Sequence, residues 1–347
     1  RRLDRGMTGT PPKITAMDVA RRAGVSQSAV SRVFTPGASA SKATVEKVRA
    51  AAEALGYRPD PLARAMITGS TRIIGLVVAY LENQFYPLAI ERLSHALQAR
   101  GYHILVFMAE NATDKVAEVV RDLIDYRVDG IITASVSMSN DLTARLSAEG
   151  IPVVNFNRGQ DDPRLTDVTS DNIVGGRRAT EFLIAGGHQR IAHVMGWQGS
   201  STGRDRAEGF RQAMAAAGMD PFAMVDGMYS RDPAAAVTRE MSAGPRRPDA
   251  IFVGNDHMAF AVMDELRFGL GLRVPADVSV VGYDDVPMAS WPAYDLTTIR
   301  QPLNRMVQAT VEAILGMIDG THVIQKTRID GPLMVRHSAR KPKGYIP

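Results

Sequence analysis

From Ile73 onward the chain alternates short apolar, β-branched runs with amphipathic stretches of helical spacing, and that alternation restricts it to a layered α/β fold. The first run, Ile73–Ala79, has no polar face, as expected of a strand covered on both sides in a parallel sheet. His103–Met108, Gly130–Thr133, Pro152–Asn155, Ile191–Met195, Ala250–Gly254 and Val278–Tyr283 repeat the pattern. Helical segments lie between them, over about Tyr86–Arg100, Thr113–Asp125, Asn172–Gly186, Arg204–Ala217 and His257–Phe268. One small sheet cannot hold so many strands, and the stretch from Arg158 to Val168 reads as the loop that breaks the alternation. The expectation is two similar lobes of doubly wound parallel sheet, residues 72–347, with a cleft between them.

A different texture precedes this body. Ala16–Ala23 forms a short helical run with Val19 and Ala20 facing inward, and Gly24 supplies a tight turn. Ser26 then caps a second helix on which Val30 and Val33 share one face. The 100° step per residue places Ser28, Ser31 and Arg32 on the other side, with Gln27 beside them in the exposed first turn. These hydrogen-bonding side chains are of the type that reads base edges, and the unit has a helix-turn-helix pattern. Pro36 and Gly37 interrupt the chain, Ser41 caps a third helix striped by Val45, Val48, Ala52 and Leu55, and Gly56 ends it. Residues 13–59 are thus an all-α head. Arg58-Pro59-Asp60-Pro61 cannot continue a helix, so residues 60–71 form a linker containing a short helical segment, Leu62–Thr68. Residues 1–12, polar and basic, read as a disordered arm.

Charge is distributed unevenly along the 347 residues, whose net charge is +4. Ten Lys and Arg face four Asp and Glu between Lys13 and Arg72, and three face one in residues 1–12, which leaves −4 on the remainder. A basic head on an acidic body suits a polyanion at the head. There is no cysteine, which excludes disulfides and thiolate metal sites and fits a cytoplasmic protein. No apolar run approaches the ~18 residues of a membrane span, and no apolar h-region of a secretory signal precedes the head.

Enzymatic signatures are missing where they belong. The turn after the first strand, Tyr80-Leu81-Glu82-Asn83-Gln84-Phe85, lacks the glycines of a phosphate-binding loop. Gly269-Leu270-Gly271 reads as a helix end, and His188 and His193 flank the start of a strand without metal-ligand spacing. Asp284 and Asp285 are adjacent at a strand end and so point in different directions, which suits ligand binding by one of them better than acid–base catalysis. Neither a cofactor nor a metal is expected. Polar and aromatic residues do recur at the C-terminal ends of strands, where open α/β sheets bind ligands: Phe85 and Tyr86; Asn157 and Arg158; Thr202, Arg204 and Arg206; Asn255; Asp284. Such residues hydrogen-bond hydroxyls and stack on a sugar ring or base.

The chain resembles the LacI/GalR family of bacterial transcription regulators from about Ile14 to Lys341. The resemblance rests on ITAMDVARRAGVSQSAVSRVF (Ile14–Phe34), ALGYRP (Ala54–Pro59), VTSDNIVGGRRATEFLIAGGHQRIAHVMG (Val168–Gly196), RAEGFRQAM (Arg206–Met214), IFVGNDHMAF (Ile251–Phe260), VSVVGYDD (Val278–Asp285) and LTTIRQP (Leu296–Pro302). It implies a homodimer on a pseudo-palindromic operator, with helix-turn-helix heads in major grooves and hinge segments in the minor groove. Gln27, Ser28 and Arg32 then match base-reading positions. Arg64 falls in the hinge pattern, and Met66 stands where the family usually has Leu, still an apolar wedge able to unstack a base step. The body resembles periplasmic sugar-binding proteins, with an N-lobe of about 72–171 and 302–329 and a C-lobe of about 172–299 and 330–341. Positions matching Phe85, Tyr86, Asn157, Arg158, Thr202, Arg206, Tyr229, Asn255 and Asp284 line the family's effector cleft, and Trp291 lies in a variable loop nearby.

The function implied is a transcriptional repressor controlled by a small polar ligand, a sugar or sugar derivative. Two other classes share the body. A solute-binding protein fits poorly with the basic head, and a sugar-modifying enzyme lacks a nucleophile–base or metal set.

Overall fold

The computed structural model describes residues 14–35, 37–59, 69–109, 113–136, 140–321 and 323–345. The arm, the helical segment expected over Leu62–Thr68, and with it Arg64 and Met66, lie outside the described residues. The chain divides into two units, residues 1–71 and 72–347.

The first unit is a three-helix head: α1 (Ala16–Ala23), α2 (Gln27–Phe34) and α3 (Lys42–Leu55). Its boundaries follow from capping. Thr15 and Asp18 form a reciprocal capping box at the start of α1, and Gly24 leaves it at φ 65°. The Ser26 hydroxyl accepts the Ala29 N–H at 3.2 Å, and Ser41 accepts that of Thr44 at the same distance. Val19, Ala20, Val30, Val48, Ala51 and Ala52 make a core of the head's own, and Phe34 and Tyr57 meet at its edge.

The second unit contains two six-stranded sheets. The first comprises β1 (Ile73–Val78), β2 (His103–Met108), β3 (Gly130–Ala134), β4 (Val153–Phe156), β5 (Thr166–Ser170) and β11 (Lys326–Ile329), ordered β11-β5-β4-β3-β1-β2, with every pairing parallel. The second comprises β6 (Ile191–Met195), β7 (Ala223–Asp226), β8 (Ala250–Val253), β9 (Ser279–Asp284), β10 (Thr297–Arg300) and β12 (Leu333–Met334), ordered β12-β10-β9-β8-β6-β7. It is parallel except for the β10–β12 pair. Helices cover the sheets: α4 (Phe85–Gln98), α5 (Thr113–Asp125), α6 (Asn140–Ala148) and α11 (Leu303–Ile318) in the first lobe, and α7 (Asn172–Ala185), α8 (Ser201–Ala216), α9 (Arg231–Ser242) and α10 (Asp256–Asp264) in the second. This is the two-lobed fold of periplasmic-binding-protein-like domains. The chain passes between lobes after β5, after β10 and after β11.

Three details depart from the periodicity. β5, sequence TDVTS, begins inside the segment read as a loop and runs two residues past it, although all five of its residues are buried. Its polar side chains are satisfied internally: Asp167 accepts from Asn155 Nδ2 at 2.7 Å and pairs with Lys326 at 2.7 Å. The expected helix over Arg204–Ala217 starts at Ser201, because the Ser200 hydroxyl accepts the Gly203 N–H at 3.1 Å. The helix expected over His257–Phe268 ends at Asp264 and widens into a π-helical turn, Glu265–Gly269.

Candidate functional site

In each sheet the strand order reverses once, between β1 and β3 in the first lobe and between β6 and β8 in the second. Crevices at such switch points hold ligands in open α/β sheets. Here the two sets of strand ends share one buried cavity of about 10 Å³, room for about one water molecule.

From the first lobe, Tyr80, Asn83 and Tyr86 follow β1, and Asn157 and Arg158 follow β4. From the second, Thr202 and Arg206 come from α8, Tyr229 follows β7, Asn255 follows β8 and Asp284 ends β9. Three of these hold positive φ: Asn157 at 69°, Tyr229 at 56° and Asp284 at 128°. Left-handed backbone at a non-glycine residue costs of order 1–3 kcal/mol and persists where the surroundings enforce it, as at binding sites. Gly196 is part of that enforcement: a methyl group there would overlap the Tyr229 ring.

Arg206 is the hub of the second lobe. Its Nε donates to Asn172 Oδ1 at 2.9 Å, its Nη1 to the Gly254 carbonyl at 2.5 Å, and its Nη2 lies 3.6 Å from Asp284 Oδ1. The guanidinium is 3.6 Å from the Tyr283 ring centroid. Asp284 also accepts from Gln301 Nε2 at 2.7 Å and, across the cleft, from Asn83 Nδ2 at 3.2 Å. Burial pushes the Asp284 carboxyl above its ordinary range, against the Arg206 charge and these two hydrogen bonds. Burial, reinforced by the Asp284 charge, pushes Asp256 up as well; Asp256 accepts from the Thr298 hydroxyl at 2.6 Å and the Val286 N–H at 3.0 Å. Asn255 caps α10 by accepting the Met258 N–H at 2.9 Å.

In the first lobe, Asn157 Nδ2 donates to the Tyr86 hydroxyl at 3.1 Å, and Arg158 Nη1 donates to the Ser135 carbonyl at 2.6 Å. Arg158 lies 5.6 Å from the Trp197 ring centroid of the other lobe. Burial raises the Tyr80 and Tyr86 hydroxyls above the ordinary phenol value, so both stay neutral. Among the described residues, the cavity lining contains hydroxyls, amides, two guanidiniums and one carboxylate, without histidine, lysine or cysteine.

Eight of the sequence-expected cleft residues meet here: Tyr86, Asn157, Arg158, Thr202, Arg206, Tyr229, Asn255 and Asp284. Three do not reach it. Phe85 turns into the apolar core, stacking on Phe156 at 6.2 Å, and faces a separate groove of about 670 Å³ beside the crossing segments. Arg204 is two residues from both Thr202 and Arg206, so it projects about 200° away around α8. It donates to the Gly199 carbonyl at 3.2 Å and pairs with Asp161 at 3.7 Å. Trp291 follows the 3₁₀ turn Pro287–Ser290 and stays half exposed. Tyr80 and Asn83, which complete the lining, are the two cleft residues that the sequence pattern did not mark; their place in the turn after β1 is the signal that points to them.

In the head, Gln27, Ser28 and Arg32 are exposed together on α2, while Ser31 is half-buried. Arg32 Nε reaches the Ser28 carbonyl at 3.4 Å, and the Ser26 and Ser28 hydroxyls are 2.9 Å apart.

Comparison with known proteins matches residues 15–60 to "Bacterial regulatory proteins, lacI family" and residues 180–339 to "Periplasmic binding protein-like domain". The chain is 33% identical over 331 residues to the HTH-type transcriptional repressor PurR of Vibrio parahaemolyticus serotype O3:K6 (strain RIMD 2210633), covering 94% of this chain and 99% of that protein. The chain belongs to the lacI family of bacterial regulatory proteins. Among solved structures, this lacI-family chain superposes on the lac repressor dimer bound to operator and the anti-inducer ONPF with a TM-score of 0.84, at 29% identity over 94% of this chain and 99% of that one. It also superposes on the transcriptional regulator CelR–cellobiose complex with a TM-score of 0.71, at 32% identity over 94% of this chain and 100% of that one. Among the described residues of the lacI-family chain, no helix is long and apolar enough to cross a membrane.

Proposed function

We propose that this protein is a sequence-specific DNA-binding repressor, active as a homodimer on a pseudo-palindromic operator in the cytoplasm, whose occupancy of DNA is set by a small polar effector of carbohydrate type. Gln27, Ser28 and Arg32 read base edges in the major groove, each good pairing discriminating by about 1–3 kcal/mol. Ser31 adds a backbone-side contact, and Arg64 and Met66 serve the minor groove, Met66 as a wedge. The operator in the lac repressor complex and the cellobiose in the CelR complex support this division of labour.

The observation that carries the effector half is the hydrogen bond from Asn83 of one lobe to Asp284 of the other, within a cavity lined by both. A ligand entering there must separate or re-register the lobes, since about 10 Å³ cannot hold a sugar ring. Tyr86, Asn157 and Arg158 engage it from one side, and Arg206, Asn255 and Asp284 from the other. The lobe movement then changes operator affinity, and a coupling of about 1–3 kcal/mol suffices for a 5–150-fold response. The protein acts by binding and release without turnover.

A thermal-shift screen of sugars and sugar acids on the full chain, followed by selection of bound DNA, tests both halves. An effector at 100 times its Kd stabilises by about 2.7 kcal/mol. Arg206→Ala is expected to abolish the ligand response, and an unaltered ligand titration in that variant removes Arg206 from the site.

A further inference from the structure

The two buried guanidiniums of the cavity are served differently. Arg206 is committed: one amide oxygen, one carbonyl, one carboxylate and one aromatic face surround it. Arg158 is only 5% exposed, yet among the described residues no carboxylate forms an ion pair with it. Its one hydrogen bond goes to the Ser135 carbonyl, its face lies toward Trp197, and its Nε is buried without a partner. The one carboxylate of the cavity lining, Asp284, is already engaged by Arg206, Asn83 and Gln301. Two fixed positive charges therefore face one negative charge. Beside Arg158, the buried Asn157 Oδ1 also has no partner, an acceptor suited to a hydroxyl.

We infer that the effector is a small polyhydroxylated anion, a carboxylate or phosphate, whose charge is received by Arg158 while its hydroxyls are read by Asn157 and the Arg206–Asp284 pair. A buried guanidinium without a counter-ion is unfavourable, and a planar donor fork matches an oxyanion in two-point contact. A neutral sugar of the same shape leaves that cost in place. The Ser135 carbonyl and the Trp197 ring hold the guanidinium ready, so little ordering is needed when the anion arrives. The inference rests on the cavity being the effector site and adds the ligand's charge.

Matched pairs at constant ionic strength test it on the full chain: D-gluconate with D-glucitol, D-galacturonate with D-galactose, and D-ribose 5-phosphate with D-ribose, each measured by calorimetric titration and by operator retention. At least one acid is expected to bind about tenfold or more tightly than its neutral partner. Arg158→Gln is expected to reduce that preference to within about threefold, whereas Arg158→Lys, which keeps the charge, retains part of it. The carboxylate and phosphate arms separate the two sources of the oxyanion. A neutral member that binds as tightly as its acid and shifts operator affinity overturns the anion and leaves effector control standing, as does a preference that survives Arg158→Gln. If no acid binds, the anion is overturned; if the neutral members also fail to move operator affinity, effector control falls with it.

Discussion

Asp284 and Asp285 are consecutive, both at positive φ, and serve separate purposes. The first turns into the cavity, while the second bridges Arg300 and Arg336 at 2.6 Å each and pins the last strands of its lobe. Adjacent positions at a strand end announced that divergence, but the φ values that produce it are imposed by packing and are invisible in the residue names. The same limit explains Arg158: its position after a strand was legible, whereas its lack of a counter-ion among the described residues depends on where the acids of the fold end up. His193 shows a second residue-scale consequence. It is stacked between Phe252 at 4.5 Å and Phe210 at 5.1 Å, with its Nδ1 2.9 Å from the Phe252 carbonyl. Burial drives its pKa down to about 4 from 6.5. The unfolded chain therefore binds a proton that the folded body refuses, and the contribution of His193 to stability is complete above pH 6.5 and is lost as pH falls toward 4. Relative to wild type, His193→Leu is expected to gain about 3 kcal/mol between pH 7 and pH 4, read from urea unfolding at each pH. Parallel pH profiles in the two proteins would contradict it.

Among the elements, α7 and α8 decide where the effector residues stand. Their backbones touch: a methyl on Gly176 would overlap the Arg206 backbone, and one on Gly209 would overlap the Ile173 carbonyl and the Arg177 N–H. That close approach lets Arg206 span from Asn172 on one helix to Gly254 and Asp284 at the strand ends. Gly209→Ala, which touches no effector, is expected to lower body stability by about 1–3 kcal/mol and to weaken effector binding together with it. Unchanged affinity at reduced stability would separate the helix contact from the site. Helix starts were readable where the capping residue stands out in the sequence, as Ser26 and Ser41 do, but not at α8, whose cap Ser200 lies four residues before the expected start. β5 was not, because four of its five residues are polar and the burial of Asp167 is met by hydrogen bonds from Asn155 and Lys326. The strands β7, β10 and β11 are each four residues long, too short for a period-2 pattern to stand out.

At the level of the whole molecule, the head keeps its own core, and Val48 lies fully buried at its centre. Val48→Ala is expected to weaken operator binding by removing buried methyl groups, while the melting shift that an effector gives the body is retained. Loss of both responses would argue against separable units. The division into basic head and acidic body was legible from charge alone. The strand order within the body was not, since periodicity cannot tell which run pairs with which. β11 lies at the edge of the first sheet, beside β5, and α11 packs under β3, β4 and β5, yet both are encoded after all of the second lobe except its edge strand β12. On the ribosome, β5 ends at Ser170 and β11 at Ile329, and at 5–20 residues per second the first lobe waits roughly 8–30 s for its last pieces. Through that interval the sheet face that α11 will cover, including Ile132 and Val154, has no lid of its own. A message cut short between Ser170 and Leu303 is therefore expected to yield a head with an uncovered half-lobe behind it, a substrate for chaperones and proteases in place of an unregulated repressor.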